Sequence, residues 1–560
     1  TPGAPLSLSR KTLAADLTAG LTVAAMLVPQ SMAYAMLAGL PPEVGLYAST
    51  VPLIAYALIG TSRQLAVGPV AIVSLLTASA LAPVAQEGSA GYLAAAALLA
   101  VLVGVIHLVM GLGRLGFLVR LLSHPVLVGF TGAAALIIGT SQLKHVLGTQ
   151  PESAEGWFAS IASVLATLPD ADPTTLLIGG GALAGMLALR RINRSIPVAL
   201  VAVVVTTVAS AVFDLADRGV RVVGDIPEGL PPLTLPLDWS LAVELLPAAF
   251  AVTLVGVLES VAVAKVYARR DRYDLDPNRE LLGLGAANLA SGLVGGYPVT
   301  GGFSRTAVNA SAGARTKLPG IVTAAIMLLV LVALTPLFTQ LPQATLGAVV
   351  LLAVSGLFDN EAMRHIWHVK RTDAATMAGA FVATLVLGVE LGIAVAALGS
   401  AIVVFSRIMR PHTAELGRLP GTHTYRNLSR FDDARTADGV RVIRFDVSLS
   451  YLNAEFMKDR LRAVTRHDPP AAVVIDLSGV NDIDASAADT LEELLEELGD
   501  TDVAVHLACA KGPVRDVLAR TRIPELVAGS HMEVHPAVEA AQELAPTTPA
   551  DARRPLTRLS

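Results

Sequence analysis

Between residues 17 and 406 one apolar stretch follows another with almost no Asp, Glu, Lys or Arg. At roughly 20 residues per bilayer crossing, these stretches make about twelve to fourteen helices, some short or broken. Charged residues are 16% of the 560 and hydrophobic ones 53%, whereas an ordinary soluble chain is about 25% charged. The main solvent of such a chain is the lipid bilayer. The first stretch, residues 17–40, is too long for a cleaved signal peptide, is interrupted by Pro29 and Gln30, and is followed at once by another apolar run, so it reads as the first helix. Residue 1 is Thr, from which a trimmed or processed N-terminus is expected. Residues 318–358 contain no ionisable Asp, Glu, Lys or Arg but are punctuated by Pro336 and Pro342, which predicts two helices joined by a tight turn.

Cations collect in alternate connections: Arg10 and Lys11, Arg63, Arg114 and Arg120, Arg190 with Arg191 and Arg194, Arg269 with Arg270 and Arg272, Arg315 and Lys317, Lys370 and Arg371, then Arg407 and Arg410. The positive-inside rule then puts both termini in the cytoplasm and requires an even number of spans, about fourteen; the expected location is a cell's inner (plasma) membrane. The formal net charge of -5 offers no basic surplus for nucleic acid. One cysteine, Cys509, excludes an internal disulfide and a cysteine-based metal site; its alternating apolar surroundings, residues 503–510, predict a buried strand.

After Pro411 charges become frequent. Residues 440–447 and 471–477 read as strands, and residues 485–498 as a helix with Glu492, Glu493, Glu496 and Glu497 on its wet face. A third strand and a helix over 514–520 follow, which makes a small α/β fold. The expected organisation is a cytoplasmic segment at 1–15, a transmembrane region at 16–410, a linker and start of the soluble part at 411–438, the α/β domain at 439–545, and a disordered Pro- and Arg-rich tail at 546–560.

Two segments place backbone breakers inside apolar sequence: Ala66-Val-Gly-Pro-Val-Ala71 and Gly295-Gly-Tyr-Pro-Val-Thr-Gly-Gly-Phe-Ser-Arg-Thr306. In a bilayer, irregular backbone is tolerated where it lines a cavity or binds a ligand. Paired breaks in two halves point to an inverted-repeat transporter whose half-helix N-termini face an anion, the alternative being two unrelated kinks. Arg305 follows the second break, where an unpaired charge costs roughly 2.5–3.5 kcal/mol. Two helix N-termini at about half a charge each, plus Arg305, give a field of about +2, suited to a small anion; a structural arginine bonded to carbonyls is the alternative. Glu259 lies in the apolar run 252–266, which has Lys265 near its end. It is a candidate proton carrier: ionised, it cuts the field to about +1, and protonated it restores about +2, so proton and divalent anion favour each other's binding. A salt bridge to Arg305 or Lys265 is the competing reading. Gln30 and Tyr34, four apart, share one helix face and can offer donors to an anion or act as packing glue.

Other patterns do not carry function. Gly111-Leu-Gly-Arg-Leu-Gly116 fits a dinucleotide fingerprint but follows a membrane-length apolar helix rather than a strand. Glu361, His365 and His368 share a helical face that reads as a solvated loop. No nucleotide-binding, serine-hydrolase or zinc-protease motif occurs, so no enzyme, cofactor or metal is expected.

The chain resembles the SulP anion permeases, bacterial relatives of the animal sulfate/chloride/bicarbonate exchangers and of prestin. The resemblance rests on Asp16-Leu-Thr-Ala-Gly-Leu-Thr-Val, on Val28-Pro-Gln-Ser-Met-Ala-Tyr-Ala-Met-Leu-Ala-Gly-Leu-Pro-Pro42, and on the block from Glu280 to Asn309 with Ala287-Asn-Leu-Ala-Ser-Gly and Phe303-Ser-Arg-Thr-Ala-Val-Asn309. It implies an all-α polytopic, uracil-permease-like fold of fourteen segments in two inverted repeats of seven, split into core and gate, and a homodimer. It also implies an anion site between the third and tenth segments, which carries over to Gln30, Tyr34, Val70, Ala71, Phe303, Ser304 and Arg305. The C-terminal region resembles a STAS domain through Val473-Val-Ile-Asp-Leu-Ser-Gly-Val-Asn-Asp-Ile-Asp-Ala-Ser486, where Ser486 matches a serine phosphorylated in stand-alone relatives; a capping Asp/Ser pair is the alternative. Sodium-coupled bicarbonate members carry an Asp with a Thr one turn later where this chain has Glu259 and Val263, so sodium lacks an oxygen ligand here. Phe303 sets an aromatic edge where other members have small residues. The expectation is a proton-coupled, elevator-type carrier of sulfate, bicarbonate or a dicarboxylate, with an anion channel, an uncoupled exchanger and a STAS-signalling anion sensor as rivals.

Overall fold

The computed structural model describes residues 10–116, 123–152, 156–193, 196–233, 239–466 and 469–544. Residues 1–9, the cations Arg120 and Arg194, and the tail 546–560 lie outside them. The chain divides into two compact units, 1–401 and 402–560.

The first unit is helical because a chain without water around it must satisfy its backbone internally. Its elements run α1 (Arg10–Leu37), α2 (Pro42–Tyr47), α3 (Val51–Ile59), β1 (Val67–Gly68), α4 (Ala71–Leu81), α5 (Ala90–Leu112), α6 (His124–Leu147), α7 (Trp157–Ala166), α8 (Pro173–Ile192) and α9 (Val198–Val212). They continue with α10 (Ala242–Arg270), α11 (Pro277–Leu293), β2 (Thr300–Gly301), α12 (Phe303–Ser311), α13 (Leu318–Leu329), α14 (Gln343–Val354), α15 (Asn360–Val369), α16 (Arg371–Leu387) and α17 (Val389–Met409). Seven described segments are long and apolar enough to cross a bilayer unaided. Of the others, α4 and α12 are half-helices that start at breaks, while α9, α11, α14 and α16 are continuous but shorter than a full crossing.

Taking α2 with α3, β1 with α4 and β2 with α12 as single interrupted segments gives fourteen, seven in each half, with the short helices α7 and α15 at the same place in each. Packing obeys the same correspondence. Helix α5 packs on α10 and α11, and its counterpart α13 packs on α1 and α3; α6 packs on α16 as α14 does on α8; α1 meets α12 as α10 meets α4. The halves therefore interlock as two related copies. Glycine lets them approach: a Cβ on Gly292 of α11 would lie 2.6 Å from the Ala97 carbonyl of α5. The proline-punctuated run behaves as the sequence predicts, with α13 ending through a π turn at Val330–Leu334 and a 3₁₀ turn at Thr335–Phe338 before α14.

The second unit holds a six-stranded sheet of β3 (Thr413–Arg418), β4 (Tyr425–Asn427), β5 (Val440–Phe445), β6 (Ala472–Asp476), β7 (Ala504–Ala508) and β8 (Gly529–His531), ordered β4-β3-β5-β6-β7-β8. The four strands from β5 to β8 are parallel. Alternation sends Ile443, Phe445, Val473 and Ile475 to one face, against α18 (Ala454–Arg466) and α19 (Ala485–Gly499). Val440, Val442, Ala472 and Val474 go to the other, against α22 (Val534–Leu544). The remaining helices are α20 (Gly512–Leu518) and α21 (Ile523–Leu526). The stretch 411–438, expected as a linker and the start of the soluble part, contributes β3 and β4 to the sheet. Cys509 corrects an expectation: it is half-buried just beyond β7, with φ +58°, where the chain leaves the sheet to enter α20.

Candidate functional site

The two breaks meet. Gly68 takes φ +150° and is followed by Pro69; Gly295 takes φ +67°, and Pro298 follows it. The extended residues between helices pair antiparallel as β1 and β2, Val67 opposite Gly301 and Gly68 opposite Thr300. Helix α4 leaves this ribbon from Val70 and helix α12 leaves it from Gly302, and neither has a side-chain cap on its first-turn N–H groups. Two uncapped half-helix N-termini are thus tied to one two-residue ribbon.

The irregular backbone around the ribbon is satisfied almost atom by atom, as an unhydrated chain requires. Asn288 of α11 receives the Val299 N–H at 2.9 Å and donates to the Val299 carbonyl at 2.9 Å. The Ser291 hydroxyl donates to the Tyr297 carbonyl at 2.6 Å, and the Gly301 N–H donates to the Ser260 hydroxyl at 2.8 Å. Across the two halves, Gly302 N–H reaches the Ala66 carbonyl at 3.0 Å, Ala66 N–H reaches the Thr306 hydroxyl at 3.1 Å, and the Asn309 amide reaches the Gln64 carbonyl at 2.8 Å. None of Asn288, Ser291, Ser260, Thr306 or Asn309 stands out as a site residue in the sequence, since each acts on backbone that only the fold brings near it. For Asn288, Ser291 and the pair Thr306 and Asn309, the signal was membership of the quoted blocks.

Arg305 lies at the centre. It is 2% exposed, and Nη1 donates to the Pro69 carbonyl across the ribbon at 2.7 Å, while Nε and Nη2 have no partner. Gly302 leaves room for it, because a Cβ there would sit 2.9 Å from Nη2. On α1, Gln30 and Tyr34 are both buried, the Gln30 Oε1 is unpartnered, and the Tyr34 ring lies within electrostatic reach of Arg305 and Glu259. Tyr297, hydrogen-bonded to Ser74 at 3.1 Å, is also near the guanidinium. Glu259 on α10 has a buried Oε2 without a partner, and among the described residues no ion pair joins it to Arg305 or Lys265. The bonds of Arg305 include one carbonyl, but not the salt bridge that would account for both charges.

Val70 and Ala71 are buried at the start of α4, as is Arg305 in α12, but Phe303, 58% exposed, and Ser304 stand outside the buried cluster. Ser486 belongs to the other unit and is exposed. Asp484, not Ser486, caps α19, accepting from Ala487 N–H at 2.8 Å. Two carboxylates that are fully buried among the described residues, Asp16 and Glu280, are structural. Asp16 receives the Arg315 N–H at 2.7 Å and the Thr316 hydroxyl at 2.6 Å, and Glu280 receives the Tyr56 hydroxyl at 2.6 Å and the Ser62 N–H at 2.8 Å.

Residues 13–380 match the sulfate permease family and residues 433–541 match the STAS domain. The chain is 38% identical over 545 residues to the chloroplastic sulfate transporter 4.1 of Arabidopsis thaliana, covering 94% of this chain and 79% of that one. It is 35% identical to a probable sulfate transporter of Mycobacterium tuberculosis, covering 93% and 94%. Among solved structures it resembles murine solute carrier 26 family member A9, an anion transporter in the inward-facing state, with TM-score 0.88, 24% identity and coverage of 96% and 92%. The transmembrane domain of the cyanobacterial bicarbonate transporter BicA aligns with TM-score 0.60 and 24% identity over 70% of this chain and 98% of that one. These relatives are named as transporters, not enzymes. The paired breaks, the interlocked halves and the C-terminal sheet thus have their counterpart in sequence, and the chain is a membrane-embedded member of the sulfate permease family with a STAS domain at its C-terminal end.

Proposed function

We propose that this protein is a secondary active transporter that carries a small oxyanion together with a proton. The substrate class is sulfate, with bicarbonate and dicarboxylates sharing its chemistry of a compact, acceptor-rich anion. The observation that carries the reading is Arg305: a buried guanidinium, fixed at one corner to the Pro69 carbonyl, with two N–H groups left without acceptors beside two uncapped half-helix N-termini. Donors abandoned in this way cost about 1–3 kcal/mol each, and an anion placed among them recovers that cost. Gln30 and Tyr34 on α1, the N–H groups at Val70, Ala71, Phe303 and Ser304, and Arg305 form the anion site, with the Phe303 ring at its mouth. Glu259 takes up the proton, so that one local charge is cancelled when the anion binds.

Helices α1, α3, α4, α5 and α10 to α13 pack among themselves, and α6, α8, α14 and α16 among themselves. Carriage follows as a displacement of the first group, with its site, along the second, in an elevator manner. We further infer a homodimer in a cell's inner membrane with both termini cytoplasmic.

The test is uptake of labelled sulfate into proteoliposomes at zero membrane potential, with and without an inward proton gradient. Accumulation above equilibrium under the gradient is expected, its loss in Arg305→Ala, and loss of the pH drive with retained exchange in Glu259→Gln. Equilibration without accumulation would identify a channel or uncoupled exchanger and end the symport reading. Full uptake by Arg305→Ala would reduce that residue to a structural role.

A further inference from the structure

A second group of cations gathers far from Arg305 in the fold. Lys144 and His145 occupy the last turn of α6, and Arg221 lies in the connection between α9 and α10. Together with Thr175 of α8 and Gln343 of α14 they line a small, partly open cleft. Counting crossings from α1, this end of α6 is on the face opposite Arg10, Arg114, Arg190, Arg269 and Lys317. Cations on that face run against the charge bias of the rest of the chain.

The cleft is built from ordered backbone. Gln343 N–H donates to the Arg221 carbonyl at 2.9 Å, and Val222 bridges Pro342 in the next register. Gly148, with φ +73°, ends α6 so close to α8 that a Cβ would lie 3.1 Å from Thr175. His145 lies within electrostatic reach of both Lys144 and Arg221. No carboxylate lines the cleft, and among the described residues none of the three forms an ion pair. The carboxylate adjoining it, Asp172, is occupied in capping α8, accepting from the Thr175 N–H at 2.7 Å and from the Thr175 hydroxyl. Two like charges, Lys144 and Arg221, flank His145 with no carboxylate in the cleft wall, and a bound anion offsets their repulsion.

We propose that this cleft is a second binding site for a small divalent oxyanion, held by Lys144, His145 and Arg221 with the Thr175 and Gln343 side chains at its wall. It is distinct from the Arg305 site, and its binding does not depend on the transport reading above. Its position on the far face raises the local concentration of anions at one entrance to the protein, as convergent charge in a low-dielectric recess does.

The test uses the full chain in nanodiscs with sodium sulfate as probe, and sodium chloride at equal ionic strength as reference. Thermal unfolding is followed as sulfate is raised. In Arg305→Ala a saturable, sulfate-specific rise in Tm is expected to persist. Adding Lys144→Gln and Arg221→Gln should abolish it, and the charge-keeping pair Lys144→Arg and Arg221→Lys should restore it. With Arg305 intact, the Lys144→Gln and Arg221→Gln variant should unfold cooperatively in sodium chloride at a Tm close to that of wild type, which demonstrates that it folds. The proposal is overturned if Arg305→Ala alone abolishes the sulfate-specific rise, or if the rise survives in the triple variant. Neither readout requires uptake, so a failure of the transport reading leaves this test standing.

Discussion

Removing the Asn288 side chain tests whether the ribbon between the two halves owes its shape to buried side chains. Asn288 is fully buried, and its amide holds both the N–H and the carbonyl of Val299, each at 2.9 Å. Asn288→Ala leaves those two backbone groups with no partner in a region without water. An average interhelical hydrogen bond in a membrane protein is worth only about 0.6 kcal/mol, because the separated partners find others. That discount does not apply to backbone fixed at a break, for which the orphaning cost of about 1–3 kcal/mol per group is the relevant one. Two groups give about 4 kcal/mol, or roughly a thousandfold against the closed ribbon at 1.4 kcal/mol per decade. The assay is the initial rate of labelled sulfate uptake in proteoliposomes, normalised to protein that elutes as a single folded peak. Asn288→Ala should fall below a thirtieth of the wild-type rate. Ser291→Ala, which orphans the Tyr297 carbonyl alone, should cost about half as much, roughly 2 kcal/mol, and lose correspondingly less activity than Asn288→Ala. If Asn288→Ala retains half the wild-type rate, the claim that these bonds hold the site open is refuted.

Four further outcomes concern the C-terminal domain. Burial, reinforced by the Asp476 carboxylate, pushes the Cys509 thiol up to about 11, so it is almost wholly protonated at pH 7.5 and should react with a thiol reagent at least tenfold more slowly than the same cysteine in the unfolded chain. His506 is 2% exposed and its Nδ1 lies 3.2 Å from Nε2 of His531; burial, and then the neighbouring imidazole, hold its pKa below the usual histidine value. Below about pH 6.5 the unfolded chain therefore binds a proton that the fold resists, and stability falls as pH drops through that window. The protection of β7 and β8 amides, measured as hydrogen exchange relative to the intrinsic rate at each pH, should fall between pH 7.5 and 5.5 in the full chain, and that fall should shrink in His506→Gln. Asp484→Ala loses the α19 cap and the bond from Tyr451 N–H at 2.9 Å, and should cost about 1–2 kcal/mol of domain stability by denaturant unfolding. Ser486→Ala, at an exposed position, should stay within about 0.5 kcal/mol of wild type.

The breaks were legible because Gly68, Pro69, Gly295 and Pro298 interrupt sequence that otherwise has no reason to stop being helical. Arg305 was legible because a cation in that setting demands a counterpart. The partners of the broken backbone were not, since Asn288 and Ser260 look like ordinary polar residues of an apolar helix until tertiary contact puts Val299 and Gly301 beside them. β1 and β2 are two residues each, too short to show alternation. Phe303 was placed at the anion pocket by its position in the motif, yet it is more than half exposed, because α12 turns its first two residues outward and the next two, Arg305 and Thr306, inward. The alternating pattern that runs through Cys509 outlasts the strand, since pairing continues for one more bond, from Cys509 N–H to the His531 carbonyl, after the backbone has turned left-handed.

The ribbon at the breaks joins parts of the chain that leave the ribosome far apart in time: Pro69 waits for Arg305 across 236 residues, and Ala66 for Thr306 across 240. Until then the early half sits in lipid with unanswered peptide groups at its midpoint, a hazard that insertion machinery must shelter. A nascent chain stopped before residue 300 should therefore stay bound to that machinery, whereas one that has passed residue 309 can lock and depart.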